Sequence, residues 1–505
     1  MRSKRALRNI VTNLLLQVVM VFFGFVFPRV IISKYGSDVN GLVSSITNFL
    51  SYISLIEAGF GGVIQFMLYK PIAEKDERSI NDILAASQKF FGRVAYVLIF
   101  YVLLLCFLFP LFVNTGFDWF FTASLILIIS ISTFMEYYIG WVYKVFLCAN
   151  QKKYIVSLFS ILIYILNIIA IVVLCRLDIS IQILELVCAL LFMIRPILQN
   201  IYVRRRYSID LKAGNRNYAI KQKWDALAQH IAAVIHGNTD IVVLSIFSTL
   251  SEVSVYSVYA LVISGVKKIV AMFYDSISSG FGDMIAKRED KKLSETFGIA
   301  ESLFFTFIPI LFACSLLLIT PFIEVYTSGV SDADYIRPLF GYLIVIATLL
   351  HSIRLPYSSV TLAAGHYKET RNGAILECIV NLTISIILVF NYGIIGVAIG
   401  TIVAMLIRTC EFIYHSSRYV LKRGVMVSVR KIVVAVIEVT LVIICSNALP
   451  LLPNTNYMNW ILNAIIILGL SSAICLSINI ILYRNDFKNV RLIFRRALSK
   501  TKEER

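Results

Sequence analysis

Charge is what this 505-residue chain has least of: Asp, Glu, Lys and Arg together make up 15% of it, against roughly 25% in soluble globular proteins. Beside 59% hydrophobic residues, that scarcity excludes a disordered chain and an ordinary soluble domain, since neither could cover so much apolar surface. Proline is sparse too, at ten residues, so long helices can run with few interruptions. The nine cysteines form no C-x-x-C pair and have no histidines at metal-ligand spacing. They read as small core residues, which argues against a disulfide scaffold and a metal site. The sequence contains no G-x-x-x-x-G-K-[ST], H-E-x-x-H, G-x-S-x-G or G-x-G-x-x-G. No catalytic residue and no cofactor is therefore implied, and the chain does not read as an enzyme.

What is present is apolar length. A spanning helix takes about 20 apolar residues and fourteen take roughly 280, close to the apolar total of this chain. Such runs occupy 9–32, 40–69, 90–113, 120–147, 155–175, 179–202, 226–247, 253–283, 297–320, 336–362, 373–391, 393–416, 430–449 and 458–483. They define an all-α polytopic membrane protein, with spans numbered 1 to 14 in that order. The span after Arg8 is too long for a cleaved signal and reads as retained.

The net charge of +17 would suggest nucleic acid on a soluble chain. Its distribution says otherwise. Of 47 Lys and Arg, 37 lie at the N-terminus, at every second connection or in the C-terminal tail, counting the helix margins beside them. The opposite connections hold Arg29, Lys34, Arg176 and Arg337. By the positive-inside rule both termini are cytoplasmic, and nucleic acid is not a partner. The outer connections are short; the longest runs from about Pro321 to Pro338 and carries Glu324, Asp332 and Asp334.

Spans 1–6 and 7–12 read as two copies of one unit. Asp38-Val39 matches Glu252-Val253, and the following unit ends at Asp76 and at Asp290. Pro110 then aligns with Pro321, "CANQKKY" with "AAGHYKE", and Arg195 with Arg408. Each copy has an even number of spans, so both insert the same way up, an arrangement known in transporters. The expected organisation is an N-terminal lobe (1–202), a basic cytoplasmic linker (203–225), a C-terminal lobe (226–417), two further spans (418–483) and a basic tail (484–505).

Six cations remain inside the spans. Arg93, Arg195 and Arg408 are near cytoplasmic ends and are expected to snorkel. Lys267 and Lys268 fall midway along span 8, with Asp275 two turns on; they read as a cationic cavity wall or as a structural Lys–Asp arrangement. Arg354, aligned one turn beyond the Glu136–His351 match, is suited to bidentate contact with a phosphate, or to a structural carboxylate pair. Span 7 offers His236 and Asp240 at i, i+4. Span 2 carries Glu57 beside a small or polar stripe of Ser44, Thr47, Ser51, Ala58, Gly62 and Gln65, which reads as a close helix contact. Glu438 lies deep in span 13. Glu57, Glu136, His236, Asp240, Asp275 and His351 are the candidates for ion coupling or charge balance.

The stretch Ile32–Asp76, with Tyr35-Gly36, Asn40-Gly41 and "EAGFGG" from Glu57 to Gly62, resembles the polysaccharide-unit (Wzx-like) flippases of the multidrug/oligosaccharidyl-lipid/polysaccharide (MOP) superfamily. The fourteen-span plan fits that family over the whole chain. The resemblance implies two six-helix lobes in a V shape, with spans 13 and 14 added. It also implies movement of an undecaprenyl-diphosphate-linked oligosaccharide to the outer leaflet of a bacterial cytoplasmic membrane by alternating access, for surface polysaccharide export. A proton or sodium ion would be the coupling ion. Membrane lipids, a polysaccharide polymerase and assembly proteins would be the other partners. Lys267, Lys268 and Arg354 would complement the diphosphate. A peptidoglycan-precursor flippase, a multidrug or cation antiporter and a glycan polymerase are the competing readings; the small outer loops disfavour the polymerase.

The charge distribution makes a direct prediction about topology. Alkaline phosphatase fused after Ser328 should be active in a bacterial host, and the same reporter fused after Lys221 or at the C-terminus should be inactive. The opposite pattern would reverse the orientation.

Overall fold

The computed structural model of the protein describes residues 2–57, 60–211, 214–215, 224–278, 280–453, 455–484, 486 and 488. Regular structure among the described residues is helical throughout: α1 (Arg2–Tyr35), α2 (Ser37–Ser51), α3 (Ser54–Glu57), α4 (Phe60–Glu74), α5 (Glu77–Phe112), α6 (Trp119–Met135), α7 (Trp141–Ala149), α8 (Lys153–Leu174), α9 (Ile181–Arg206), α10 (Trp224–Phe247), α11 (Leu250–Ser278), α12 (Phe281–Ala286), α13 (Asp290–Tyr326), α14 (Pro338–Ala363), α15 (Arg371–His415), α16 (Met426–Ser446) and α17 (Tyr457–Leu482). Much of the basic linker and nearly all of the tail lie outside the described residues.

Each predicted span coincides with helix among the described residues. Eleven helical stretches among the described residues are long and apolar enough to cross a membrane. One of them, α15, carries spans 11 and 12 together, while α10 and α16 carry spans 7 and 13. The departures from plain rods have local causes. Span 2 divides into α2, α3 and α4. At the first break Asn48, Ser51 and Ser54 each donate to a carbonyl one turn back, at 2.9, 2.6 and 2.7 Å, competing with the backbone ladder. Span 4 is α6 and α7 joined by a π-helical turn at Glu136–Gly140. Within α15, Gly393 adopts φ 51°, ψ −130°, accessible to a residue without Cβ. The chain there doubles back, and Asn381 Nδ2 donates to Thr401 Oγ1 at 3.0 Å.

The internal repeat is visible in the turns. Left-handed residues recur at offsets of 213 or 214: Lys75 and Arg288 (φ 57° and 55°), Gly116 and Gly329 (65° and 82°), Gln151 and Gly365 (56° and 84°). Four of these are followed by the same helix-ending bond, from the next N–H to the carbonyl five residues back: Asp76 to Pro71, Glu289 to Met284, Lys152 to Leu147 and His366 to Thr361, at 2.8–3.2 Å. Asp76 then caps α5, accepting from Ser79 N–H at 3.1 Å and Oγ at 2.5 Å; these bonds hold its carboxyl below the usual carboxylate value.

Packing resolves two compact units. The first is Met1–Ser257 with Gly329–Ala333; the second is Val258–Ser328 with Asp334–Arg505. In the first, α1 lies on α8, α6 and α8 on α9, and α2 on α10. Gly36 (φ 91°) turns the chain from α1 into α2. Asp332 then receives Ser37 N–H at 2.6 Å and Ser37 Oγ at 2.8 Å, satisfying the start of α2. Ser45 pairs with Ser245 at 2.7 Å across the α2–α10 seam, and Gly41 lies against the Leu250 carbonyl. The predicted small-residue stripe thus needs correction. The close contact is made by Gly41 and Ser45, while Thr47 and Gly62 are exposed; the break after α2 throws the later positions out of phase. Of that stripe, Ser51 does meet α10, donating to Asn238 Oδ1 at 2.7 Å, and Ala58 lies outside the described residues.

In the second unit α14 packs on α13 and α15, and α16 and α17 pack on α13 and on each other. Ala313, Val439, Val442 and Cys475 form that seam, and Trp460 Nε1 donates to Leu318 O at 3.2 Å.

Gly41 and Gly62 make a matched test of this packing. A Cβ at Gly41 would overlap backbone, whereas nothing lies within 4 Å of one at Gly62. Gly41→Val should cost about 2 kcal/mol and lower the thermal midpoint of the purified protein by several degrees. Gly62→Ala should leave it unchanged.

Candidate functional site

In the second unit, α11 presents Lys267 and Lys268 on an exposed strip with Ile269, Met272 and Asp275. Lys268, Met272 and Asp275 follow i, i+4, i+7 spacing, so the structure places this lysine and carboxylate on one face. Lys267 is roughly 26 Å along the helix from Leu250. An ammonium at that depth requires water or a polar ligand in front of it.

Arg354 is engaged differently. Its Nη1 donates to Glu377 Oε1 at 2.8 Å, and its Nη2 lies 3.1 Å from His351 Nδ1. A guanidinium can only donate, so Nδ1 is the acceptor. The other oxygen of Glu377 faces Arg408 Nε at 3.4 Å. Arg408 also binds Glu411 and donates to Thr370 O, and its guanidinium stacks over Phe412. Arg408 is 2% exposed, which corrects the expectation that it snorkels: two carboxylates and a carbonyl already use its donors. The group Arg354, Arg408, Glu377 and Glu411 is balanced in charge.

The first unit carries an ion group at positions aligned with His351 and Arg408. Glu136 receives Arg195 Nη2 at 2.9 Å and Lys144 Nζ at 3.3 Å, so Arg195 also turns to a carboxylate rather than to the membrane surface; Arg93 is exposed. The π-helical turn begins at Glu136. Gly140 leaves room for the carboxylate, since a Cβ there would lie 3.0 Å from Glu136 Oε2 and from Pro196 Cβ. Beside this group is a cavity of about 370 Å³ whose walls include Ser132, Thr133, Trp141, Tyr164, Glu136 and Arg195. Asp240 is buried and accepts from Tyr256 OH at 2.6 Å, tying α10 to α11. The side chains of His236 and Glu57 lie outside the described residues.

A third such group was not singled out from the sequence. Glu301 in α13 is fully buried. Its Oε1 accepts from Arg423 Nη2 at 2.5 Å, Tyr357 OH at 2.7 Å and Ser428 Oγ at 3.0 Å, and its Oε2 faces Lys431 Nζ at 2.9 Å. Arg423 and Lys431, which the charge count assigned to a cytoplasmic connection, both turn inward. The signal for Glu301 was the one that marked Glu57 and Glu136, a lone carboxylate in an apolar run. Glu438 is buried as well and accepts from Asn479 Nδ2 at 2.5 Å, joining α16 to α17.

Breaking the Glu301 group should expose the cost of buried charge. Glu301→Gln leaves Arg423 and Lys431 uncompensated and should destabilise the protein by about 3 kcal/mol. The double change Glu301→Gln with Lys431→Met should recover part of that loss in a thermal-melt assay.

No family profile matches the chain, and no curated relative does. Solved structures do. The lipid II flippase MurJ, in an inward closed conformation, matches with a TM-score of 0.67 at 17% identity, over 94% of this chain and 99% of that one. An inward-facing multidrug resistance MATE family transporter of the MOP superfamily matches with a TM-score of 0.62 at 14% identity, over 79% of this chain and 95% of that one. A mutant of the Vibrio cholerae MATE transporter VcmN matches with a TM-score of 0.57 at 17% identity, over 84% of this chain and 99% of that one. The chain is a multi-pass helical protein with the fold of MOP superfamily transporters.

Proposed function

We propose that this protein is a flippase that carries a polyprenyl-diphosphate-linked oligosaccharide repeat unit from the cytoplasmic to the outer leaflet, by alternating access, for surface polysaccharide export. The observation that carries the proposal is the Lys267–Lys268 pair, exposed midway along a helix long and apolar enough to span a membrane. Two ammonium groups at that depth suit a polyanion, whereas hydrocarbon would penalise them. A bulky glycan needs such a polar path, and its lipid tail can stay in the membrane throughout. Lys267 and Lys268 are assigned to the diphosphate. Arg354 is assigned to the same wall, Glu377 being the group it would exchange for substrate.

The carboxylates favour this reading over a cation antiporter. Glu136, Glu301 and Glu377 each lie against two cations, which disfavours recruitment of a third. Asp240 and Asp275 remain the candidates for a proton or sodium coupling ion. The protein would sit in a bacterial cytoplasmic membrane with both termini inside, its lobes being 1–202 and 226–417, and would hand its glycan to a polymerase and assembly proteins.

One comparison favours a second reading, a peptidoglycan-precursor flippase. The match to the lipid II flippase covers 94% of the chain against 79% for the MATE transporter. On 505 residues those shares are about 475 and 399. Both readings put a polyprenyl diphosphate in the site.

Reconstitution separates them from the alternatives. In proteoliposomes the protein should translocate a fluorescent undecaprenyl-diphosphate oligosaccharide, and Lys267→Ala with Lys268→Ala should slow it at least tenfold at wild-type protein level. Transport unaffected by that change, or confined to drug cations, would refute the proposal. Rescue of a precursor-flippase depletion strain would select the second reading.

A further inference from the structure

The two copies of the repeat each carry an ion group, and their charge counts differ. In the second unit two cations, Arg354 and Arg408, meet two carboxylates, Glu377 and Glu411. In the first unit two cations, Lys144 and Arg195, meet Glu136, and the group keeps a surplus positive charge. Beside that surplus lies the cavity of about 370 Å³, within the size range of small-ligand sites.

The cavity has the fittings of a binding site. Arg195 lines it, and its Nε is buried with no hydrogen-bond partner. One donor of the guanidinium is thus unused in a place where leaving it so is costly. Lys144 is held over the Trp141 ring at 4.7 Å. Trp141 and Tyr164 offer aromatic walls, and Ser132 and Thr133 offer hydroxyls. Glu136 is held close by a π-helical turn, a local widening often found at functional sites.

We infer that this cavity is a second anion site, holding a phosphate ester of the substrate against Arg195, with Lys144 adding positive charge from beside Glu136 and Glu136 as the internal competitor that the phosphate displaces. The inference rests on the flippase reading and adds a station in the first unit to the lysine pair in the second. A diphosphate esterified at both ends carries two negative charges and offers more to Arg195 and Lys144 than a single carboxylate does. Glu136 keeps the empty site paired, so that a buried guanidinium is not stranded before substrate arrives or after it leaves. The aromatic walls would then take the apolar face of a sugar or the first isoprene unit. In the second unit the extra carboxylate, Glu411, removes the surplus charge, so an anion there must displace Glu377 from Arg354 with no net positive charge to draw it.

The chemistry, a phosphate ester, is shared by a prenyl diphosphate and by membrane phospholipid; the prenyl diphosphate is the assigned source. Binding of farnesyl diphosphate, farnesol and phosphatidylglycerol to the purified full-length protein, read by native mass spectrometry, tests it. The wild type should bind farnesyl diphosphate and not farnesol, and should prefer it to phosphatidylglycerol. Arg195→Gln should weaken that binding about tenfold. Glu136→Gln should strengthen it about fivefold, because the competitor is gone while the cations stay. Opposite signs from the two halves of one ion pair are what a structural bridge would not produce. Thr133→Leu, which fills the cavity and leaves the charges alone, should also weaken binding and serves if Arg195→Gln does not fold. Equal loss in Arg195→Gln and Glu136→Gln, unchanged binding in Thr133→Leu, or equal binding of phosphatidylglycerol overturns the inference. Translocation by the wild-type protein, measured in the same preparations, separates that outcome from failure of the flippase reading.

Discussion

A buried carboxylate held by two cations is the interaction on which this structure depends. It occurs three times among the described residues: Glu136 with Lys144 and Arg195, Glu377 with Arg354 and Arg408, and Glu301 with Arg423 and Lys431. Each links side chains of more than one helix. In a membrane, apolar contact discriminates poorly between partners, because lipid tails are as apolar as the side chains they would replace. A charged group that must find its complement is more selective. The helices that carry these groups are therefore positioned in part by polar contacts.

The same interaction limits what the protein can bind. A carboxylate facing two cations is a weak ligand for another cation, and the cations are available to an anion only by exchange. Glu301, with Tyr357 and Ser428 also upon it, is fully buried and fastens α16 to α13 and α14. Glu377 shares its cations with Glu411. Glu136 has the open cavity and the surplus charge. One motif thus ranges from clasp to candidate site, and the difference lies in the count of nearby charges and the space beside them.

The backbone repeats more faithfully than the side chains do. Left-handed residues recur at Lys75 and Arg288, where neither residue type favours that conformation. The shared helix-ending hydrogen bonds hold it in place. Side chains at matched positions have diverged: Glu136 aligns with His351, and the carboxylate that pairs with Arg354 and Arg408 comes from another helix, at Glu377. Conserved turns with exchanged charges let two copies of one unit take different roles.

The sequence by itself determined the class, the helices and the repeat. Apolar length must be buried in lipid, and fourteen runs long enough to do so leave little choice of fold; the π-helical turn, the break in span 2 and the fold-back at Gly393 were the local features it did not reveal. It also located most of the intramembrane charges, Lys267, Lys268, Glu136 and Arg354 among them, because a charge inside an apolar run stands out whatever its partner. What the tertiary structure decided is which of them are paired. Arg408 and Arg195 were expected near the membrane surface, and Arg423 and Lys431 were counted with a cytoplasmic connection; all four turn inward, each to a carboxylate distant in sequence. Pairing depends on which helix faces reach one another, and periodicity along one helix carries no information about the next.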